Sequence, residues 1–372
     1  MAAGLVLLAG ILVCPTGAAG GLAGPSLAAA RSFYMGFTTT EYDATPQALD
    51  ETYKFIGAHG DLVAHHLAAG IPWPEAYAQT RYHPAVERDL LSRASKRRLG
   101  QKVLVSVSPI TVHAEGLGGY WAEKRNMPRP GPWNRKDFDD PQVITAYTNF
   151  AGDLIRRLRP DFLAYGTEVN DLVKDAPAKW PKFVRLAKVV YAVLKAEFPQ
   201  IPIFVTLQAD DFWADPASQR RAIAEILPYS DYVAVSAFPY LGRYPDPRTI
   251  PADYFAGIAA LAPGKPFLVA ATGFPAKELT VLGNRIPGRE DWQESYVKFL
   301  LTESQRLRAQ SVVWFVPRDY DPLIARLRAL GVPQQTLDLY SAWKSDGLVD
   351  ARGTARKALG TWADWVRRPR QN

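Results

Sequence analysis

A short apolar segment that ends in an acid is the first place where this sequence could do chemistry. Residues 162–165 are apolar and are followed at once by Gly166, Thr167 and Glu168. In a parallel α/β barrel, residues just beyond the C-terminal ends of the strands form the active site. A glutamic acid at that edge is therefore a candidate catalytic residue. The alternative is structural, since a strand-end glutamate can also form a salt bridge or cap a loop.

Polar side chains follow the other predicted strands, and aromatic residues occupy the loops beside them. The set expected at the same edge comprises Glu41, His65 or His66, Ser108, Asp210, Asp211, Tyr240, Thr272, Arg318 and Asp319. The loop aromatics are Trp73, Trp121, Trp133, Trp213 and Tyr320. Flat aromatic surfaces beside acids suit sugars, because sugar C–H faces stack on rings while hydroxyls bond to carboxylates. The set therefore indicates a carbohydrate cleft, although each tryptophan could instead pack onto the rim.

Eight apolar segments alternate with helical segments along the chain. The predicted strands are 33–38, 62–66, 102–107, 162–165, 201–207, 232–236, 266–271 and 311–316. The predicted helices are 46–58, 85–99, 142–158, 180–197, 218–227, 252–261, 292–308 and 354–366. Such alternation predicts a parallel sheet, and eight units predict closure into a (β/α)8 TIM barrel. An open doubly wound sheet is the alternative, but no glycine-rich dinucleotide turn follows the first strand.

The segment from 109 to 140, after the third strand, shows no hydrophobic periodicity typical of a helix or a strand. It contains Gly116, Gly118, Gly119 and a proline-rich stretch. Because connections of this length are uncommon in compact domains, we expect the loop to be functional or to act as a lid.

The N-terminus is typical of a secretory signal. The first thirty residues carry no charge, 5–13 are apolar, and Ala28, Ala29 and Ala30 offer a small-residue cleavage site. We expect a signal peptide over 1–30, although a basic residue near Met1 is missing, and a single barrel domain over 31–372. The alternative of a membrane anchor needs ~20 apolar residues, so no stable membrane insertion is expected after processing. The expected location is therefore secreted or periplasmic.

The charge pattern gives no sign of nucleic-acid binding. The net charge is +7, but basic clusters such as 96–98 and 156–159 lie in predicted helices without interleaved aromatics. A polyanionic partner is the alternative.

Cys14 is the only cysteine, so the mature chain would have no disulfide and no thiolate metal site. We expect a monomer.

Metal, nucleotide and serine-hydrolase chemistry are not indicated. His65 and His66 are adjacent on a strand and face opposite sides, so they cannot readily chelate one ion. We expect one of them to bond substrate, or to be a hydrogen-bonded core histidine. No zinc motif, phosphate loop, dinucleotide fingerprint or Gly-x-Ser-x-Gly elbow is present. We therefore expect no metal and no cofactor.

The motifs, taken in order, resemble those of the retaining (β/α)8 glycoside hydrolases of clan A. Residues 166–170 (GTEVN) are similar to the fourth strand of the arabinogalactan endo-β-1,4-galactanases, which ends in Gly-Asn-Glu followed two residues later by Asn. Residues 236–239 (SAFP), 265–275 (KPFLVAATGFP), 313–315 (VWF) and 346–359 resemble their later strands and closing segment. The resemblance covers most of the chain beyond residue 31.

This resemblance implies that Glu168 is the general acid/base and that the ligand is an oligo- or polysaccharide. Asn170 and a strand-two histidine would contact hydroxyl groups, and Trp314 would form the floor of the cleft. The full set of expected substrate contacts is Glu41, His65, His66, Trp73, Asn170, Asp210, Phe238, Tyr240 and Trp314.

The departures from the family pattern concern the same sugar subsite. Ala271 occupies the position of the nucleophilic glutamate, and a methyl group cannot attack an anomeric carbon. The retaining mechanism, a double displacement that uses two carboxyl groups ~5 Å apart, is therefore not possible with this sequence. Thr167 replaces an asparagine that would bond a sugar hydroxyl, and Phe238 stands near the usual position of a tyrosine.

Three explanations of Ala271 are consistent with the sequence. The change could be a natural or deliberate inactivation of an otherwise intact glycosidase. Another acid could act as the base of an inverting reaction, which needs a separation of ~6.5–9.5 Å from Glu168; the candidates are Asp319, Asp210, Asp211 and Glu41. The barrel could also be a catalytically inactive carbohydrate-binding protein.

Overall fold

The computed structural model describes residues 30–371. The expected signal peptide over 1–30 therefore lies outside the described residues except for Ala30, and cleavage stays a prediction. The strands are β1 Tyr34–Thr38, β2 Leu62–Leu67, β3 Lys102–Val107, β4 Phe162–Gly166, β5 Ile203–Gln208, β6 Val233–Ala237, β7 Phe267–Thr272, β8 Lys277–Val281, β9 Asn284–Arg289 and β10 Ser311–Trp314.

The helices surround these strands. They are α1 Pro46–His59, α2 Trp73–Ala78, α3 Pro84–Ser95, α4 Pro141–Leu158, α5 Asp171–Asp175, α6 Trp180–Glu197, α7 Ala209–Ala214, α8 Pro216–Ile226, α9 Tyr254–Ala259, α10 Glu290–Arg306, α11 Asp321–Ala329, α12 Gln334–Ser341 and α13 Lys357–Val366. In the range 30–371, no helix is long and apolar enough to cross a bilayer.

Eight of the strands close into a parallel barrel. Their order around the barrel is β1-β10-β7-β6-β5-β4-β3-β2, and every neighbouring pair is parallel. The predicted (β/α)8 TIM barrel is thus confirmed. All eight strand C-termini lie at one mouth, which brings residues from distant parts of the sequence together.

The inside of the barrel is a packed apolar core below that mouth. Alternate residues of each strand point inward, and together they form one buried cluster. Its members are Leu62, Ala64, Leu104, Phe162, Ala164, Phe204, Ala234, Leu268, Ala270 and Val313. The other strand face packs against the helices in a second, larger cluster.

Helix α4 shows how the sequence builds the outer layer. Asp140 caps its N-terminus by accepting a hydrogen bond from the Gln142 N–H, and Pro141 takes the first helical position. Apolar residues then recur at helical spacing, and Arg159 ends the helix in a left-handed conformation. The buried stripe includes Tyr147, whose hydroxyl donates to the Tyr165 carbonyl oxygen of β4 at 2.5 Å. Helix and strand are thereby joined directly beneath the acid-bearing turn.

Several short elements were not predicted. The hairpin β8–β9 turns through Leu282 and Gly283, both at positive φ (49° and 81°), where Asn-Gly is the usual signal. Helices α2, α5, α7, α11 and α12 have five to nine residues each. Elements this short present too few turns for a hydrophobic period to be read.

The long segment after β3 is folded back onto the barrel rim. It makes bridges between Ile110 and Leu117 and between Tyr120 and Met127, and Tyr120 also pairs with Ile71. One 3₁₀ turn spans Gly131–Arg135. The segment supplies one side of the cavity described next.

Candidate functional site

A cavity of about 180 Å³ opens at the C-terminal mouth of the barrel. This volume is far larger than the ~10–15 Å³ that one water needs. Its polar wall includes His66, Ser106, Thr167, Glu168, Asp171 and Ser236, from strands β2, β3 and β6 and from the turn after β4. Phe238, Phe315, Leu339 and Trp343 form an apolar side. The lining residues combine an aromatic surface with a few convergent polar groups, as expected of a ligand site.

A second cavity of about 400 Å³ lies outside the barrel against α2, α3 and α4. Its charged groups are largely satisfied among themselves: Arg157 pairs with Glu87 at 2.8 Å, and the Tyr82 hydroxyl donates to Asp153. We therefore place the candidate site at the mouth of the barrel.

A strained turn presents Glu168 to the mouth cavity. Glu168 has φ 52°, in the left-handed region that few non-glycine residues adopt. Its N–H donates to Thr206 Oγ1 at 2.8 Å, and the next N–H, of Val169, donates to the Thr206 carbonyl oxygen at 3.0 Å. These two bonds to β5 hold the turn. Strain of this kind persists where surrounding structure enforces it, which is common at functional sites.

Gly166 gives this turn the space that it needs. A Cβ at position 166 would lie 2.7 Å from Val169 Cγ1 and 3.2 Å from Val205 Cγ1. We expect Gly166→Ala to lower the free energy of unfolding by ~1–3 kcal/mol, because two stiff β-branched side chains would have to move. Chemical unfolding would measure the change. Gly264→Ala is the control, since nothing lies within 4 Å of its added Cβ; equal losses in the two variants would contradict the prediction.

The carboxyl group of Glu168 is poised to hold a proton near neutral pH. Burial, and then the nearby charges of Asp210 and Asp211, raise the pKa of Glu168 to about 7. The Ser236 hydroxyl opposes part of this rise, although its oxygen makes no hydrogen bond of normal geometry. A protonated carboxyl group at this position can act as an acid.

Asp171 is a second acid in the same wall, and no sequence pattern predicted a role for it. Its N–H donates to the Glu168 carbonyl oxygen at 3.0 Å, so the two residues close one turn. Burial, followed by the charges of Glu168 and Asp211, raises the pKa of Asp171 to about 9, against an opposing effect of Lys174. The only available signal was its position three residues after Glu168. Sequence spacing does not show whether a side chain enters a cavity.

Four polar atoms of the cavity wall are buried and have no hydrogen-bond partner. They are Thr167 Oγ1, Asp171 Oδ1, Ser236 Oγ and Trp343 Nε1. Buried polar groups in folded proteins are normally paired, so each exception needs an explanation. Their clustering in one cavity indicates a wall arranged to bond a ligand that carries several polar groups.

The two adjacent histidines divide between cavity and core. His66 lies in the wall, with Nδ1 2.8 Å from Ser106 Oγ. Burial, reinforced by Arg93, lowers the pKa of His66 to about 4, so its ring is neutral at pH 7. His65 faces the helices and contacts the Tyr53 hydroxyl at 3.4 Å. His66 is therefore the strand-two histidine available to a ligand, and His65 is the core histidine.

Ala271 faces the cavity because β7 is bulged. Pairing with β6 shifts from Val235–Val269 to Ser236–Ala271, so Ala270 and Ala271 both reach the wall. Bulges commonly re-aim side chains beside active sites. The strand thus presents position 271 to the mouth, but it presents a methyl group.

The other acids named from the sequence do not lie in the wall. Asp319 is buried in an ion pair with Arg356 at 2.5 Å. Asp210 accepts hydrogen bonds from the Tyr254 hydroxyl at 2.7 Å and the Phe238 N–H at 2.8 Å. Asp211 pairs with Lys174 at 3.0 Å, and Glu41 is not part of the cavity lining. The expectation that one of these acids faces the ligand as an inverting base is corrected accordingly.

Asn170 and Tyr240 serve the structure rather than the cavity. Asn170 is fully buried, and its side-chain N–H₂ group donates to the Gln208 carbonyl oxygen at 3.1 Å and to Gln219 at 2.9 Å. The Tyr240 hydroxyl donates to Asp346 at 2.7 Å. Neither residue lines the cavity. Both expected substrate contacts are thus occupied by bonds that join neighbouring loops.

The predicted tryptophan surfaces also pack elsewhere. The Trp73 indole donates to the Gly118 carbonyl oxygen at 3.1 Å and stacks on Trp133. Trp314 donates to the Asp346 carbonyl oxygen at 2.8 Å and contacts Trp362 in the helical layer, so it does not form the cleft floor. The aromatic wall comes instead from Phe238, expected as a contact, and from two residues that we did not name as contacts, Phe315 and Trp343.

Metal ligation finds no support among the described side chains. In residues 30–371, no group of three or more histidine, cysteine, aspartate or glutamate side chains is arranged to hold an ion.

Comparisons with known proteins extend the fold assignment. No family model matches the chain, and a search of curated proteins finds no match. Among solved structures, an exo-β-1,4-mannosidase from Opitutaceae bacterium strain TAV5 superposes with a TM-score of 0.62 at 16% identity, over 91% of this chain and 60% of that one. This chain therefore spans less than two thirds of the mannosidase.

Two further solved structures show the same similarity. GH5_18 from Streptomyces cattleya, in complex with GlcNAc, gives a TM-score of 0.62 at 19% identity, over 91% of this chain and 81% of that one. The GH53 catalytic domain of Ignisphaera aggregans gives 0.56 at 16% identity, over 92% and 98%. At these identities the similarity shows the fold, a (β/α)8 barrel of the kind found in these solved structures.

Proposed function

We propose that this protein is a glycoside-hydrolase-type barrel that acts on an oligo- or polysaccharide, with Glu168 as the proton donor. The observation that carries the proposal is the placement of Glu168 in a ligand-sized cavity at the barrel mouth, with its pKa raised to about 7 by burial first of all. Two of the similar solved structures are a mannosidase and a complex with GlcNAc. Those proteins therefore support a carbohydrate as the ligand.

The proposed chemical step is protonation of the leaving oxygen. The C1–O bond of the glycoside breaks with its electron pair passing to oxygen, which receives the proton of Glu168. Water supplies the new C1–O bond, and its proton returns to the Glu168 carboxylate. Water is the attacking group because Ala271 offers no nucleophile and Asp171 lies on the same turn as Glu168.

A catalytically inactive carbohydrate-binding protein is the second candidate. The specific observation in its favour is that Glu168 and Asp171 are the acids among the cavity-lining residues, and both come from one turn. Among its lining residues, the cavity therefore lacks the pair of carboxyl groups, one on each side of the sugar, that retaining and inverting hydrolysis normally use.

Turnover and binding, measured on one glycan panel, separate the two candidates. The panel would contain β-1,4-linked mannan and galactan oligosaccharides, N-acetylhexosamine oligosaccharides and their amino-sugar counterparts, with reducing-end release and calorimetry as readouts. Cleavage of any member supports the enzyme. Binding without cleavage supports the binding protein. The absence of both would overturn the proposed function.

Restoring a carboxylate at position 271 should introduce or increase hydrolysis. The side chain of Ala271→Glu would start from the cavity wall on β7, which is separated from β4 by β5 and β6 around the barrel. We expect a gain of at least tenfold in turnover on a glycan that the wild-type protein binds. Ala270→Glu is the matched control, one residue along the same bulge. If both variants gain turnover equally, or if neither gains any, the idea that position 271 in particular holds the nucleophile is contradicted.

A further inference from the structure

The cavity holds two buried acids without a basic side chain in its wall. Among the lining residues, Glu168 and Asp171 are acidic, none is lysine or arginine, and the His66 ring is neutral at pH 7. Lys174, whose charge acts to lower the pKa of Asp171, is bonded to both oxygens of Asp211, at 3.1 and 3.0 Å. Buried carboxyl groups normally have a paired cation, because desolvation penalises their charged form.

Unpaired hydroxyl groups surround these acids. Ser236 is 1% exposed, lines the cavity, and its Oγ has no hydrogen-bond partner. Thr167 Oγ1 and Asp171 Oδ1 are also buried and unpaired. Hydroxyl and carboxyl oxygens share the ability to accept hydrogen bonds. These hydroxyl groups and the unpaired Trp343 Nε1–H can also donate to the neutral groups of a sugar, so what the wall lacks is a positive charge.

We propose, on the basis of the proposed function, that the sugar bound here is a cationic amino sugar whose free, protonated amine bonds the Asp171 carboxylate, while Glu168 keeps its proton for the glycosidic oxygen. An ammonium group has three donors and no acceptor, and so matches a wall that offers acceptors. The apolar side of the cavity, with Phe315 and Trp343, is available to the C–H face of the ring. A glycan rich in free amines, such as a partly de-N-acetylated polysaccharide, is the corresponding polymer.

Competing sugar classes fit the wall less well. An acidic sugar would add a third negative group beside the two carboxyl groups. An N-acetylated sugar replaces the ammonium by a neutral amide with a single N–H, so it forms no charge-assisted hydrogen bond with Asp171. A charge-assisted hydrogen bond is roughly twice as strong as a neutral one.

The pH dependence of binding distinguishes a cation from a neutral ligand. The groups facing the site are Glu168, Asp171 and His66, with Asp210, Asp211, Lys174 and Asp175 behind the two acids. Because the acids are largely protonated at pH 5, binding of an ammonium group must release a proton. The dissociation constant should then fall by up to roughly tenfold per pH unit between pH 5 and 7. A neutral sugar releases no proton.

Calorimetry with defined oligosaccharides tests the proposal. Glucosamine and galactosamine oligomers of two to six residues would be compared with their N-acetylated forms at pH 5, 6 and 7, in buffers of different ionisation enthalpy. We expect at least tenfold tighter binding of the amino form at pH 7, with proton release. Asp171→Asn should reduce that preference to less than threefold. Asp175→Asn, with the same charge change on the same helix but outside the cavity wall, should preserve it.

The stability of the variant shows whether a loss of preference is specific. Because the pKa of Asp171 is raised, the folded state still holds a proton at pH values where the unfolded state has already released it. This group therefore lowers the free energy of unfolding as pH rises from about 4 toward 9. Asp171→Asn should therefore unfold at a higher temperature than wild type at pH 8. N-acetylated or neutral glycans binding as tightly as amino sugars would overturn this inference and leave the proposed function standing. If no glycan on the panel binds, both fail.

Discussion

Replacing Glu168 with glutamine is expected to lower the rate of glycoside cleavage by ~10²–10⁴-fold, the usual contribution of a positioned general acid. Glutamine keeps the size of the side chain and can still form hydrogen bonds, but it has no acidic proton to transfer. Binding of the same oligosaccharide should change only a few-fold. Single-turnover cleavage and calorimetry on the best substrate of the panel would measure the two effects.

The matched control is Glu115→Gln, an exposed position on the long loop whose side chain is outside the cavity wall. It should cleave at the wild-type rate. The pH profile adds an independent readout: because Glu168 must carry its proton, wild-type turnover should decline as pH rises through about 7. If Glu168→Gln keeps more than a tenth of the wild-type rate, Glu168 is not the proton donor.

Breaking the buried pair of Arg356 and Asp319 should cost ~3–5 kcal/mol of unfolding free energy. The guanidinium group donates to both Asp319 oxygens, at 2.9 and 2.5 Å, and to the carbonyl oxygens of Ser345 and Gly347. The side chains of Arg356 and Asp319 are 1% and 0% exposed. Arg356→Met would leave the Asp319 carboxylate buried without its charged partner and with only the Gly347 N–H as donor, at 3.2 Å, which explains the large expected loss. Urea unfolding at pH 7 would measure it.

The exposed pair Arg285–Glu278 is the control, because Arg285→Met should cost at most ~1 kcal/mol. The double change Arg356→Met with Asp319→Leu should recover part of the loss, since it removes both buried charges. This experiment also tests the role of Asp319. If Asp319→Asn loses turnover while its unfolding free energy stays at the wild-type value, Asp319 returns as a candidate base. We expect the stability to fall instead.

Most of the barrel could be predicted because its signals are local. Helix α6 was predicted at Trp180–Glu197 and strand β3 at Lys102–Val107, with their observed bounds. Each has a strong period or a continuous apolar run with clear ends, so little depends on distant neighbours. The position of Glu168 at the mouth follows from the same signals, since strand C-termini meet at one end of a closed barrel.

The choice between adjacent residues could not be made from the sequence. His65 and His66, and likewise Trp314 and Phe315, are equally good candidates along the chain. In each pair one residue reaches the cavity and the other packs against helices, because neighbouring strand residues face opposite sides. Which one points inward depends on barrel register. The sequence does not reveal this register.

Sequence alone thus predicted a closed barrel with an acid at its mouth, and the resemblance to glycoside hydrolases predicted a missing carboxyl group at position 271. Tertiary structure decided the rest: the bulge that turns Ala271 into the wall, the Asp171 carboxyl group beside Glu168, and Trp343 placed over the mouth. It also paired Asp319 with Arg356, 37 residues away in the chain. The physical reason is that secondary structure follows from the side-chain pattern within one segment. Cavity position, pKa and ion pairing depend on burial and on charges brought close through space.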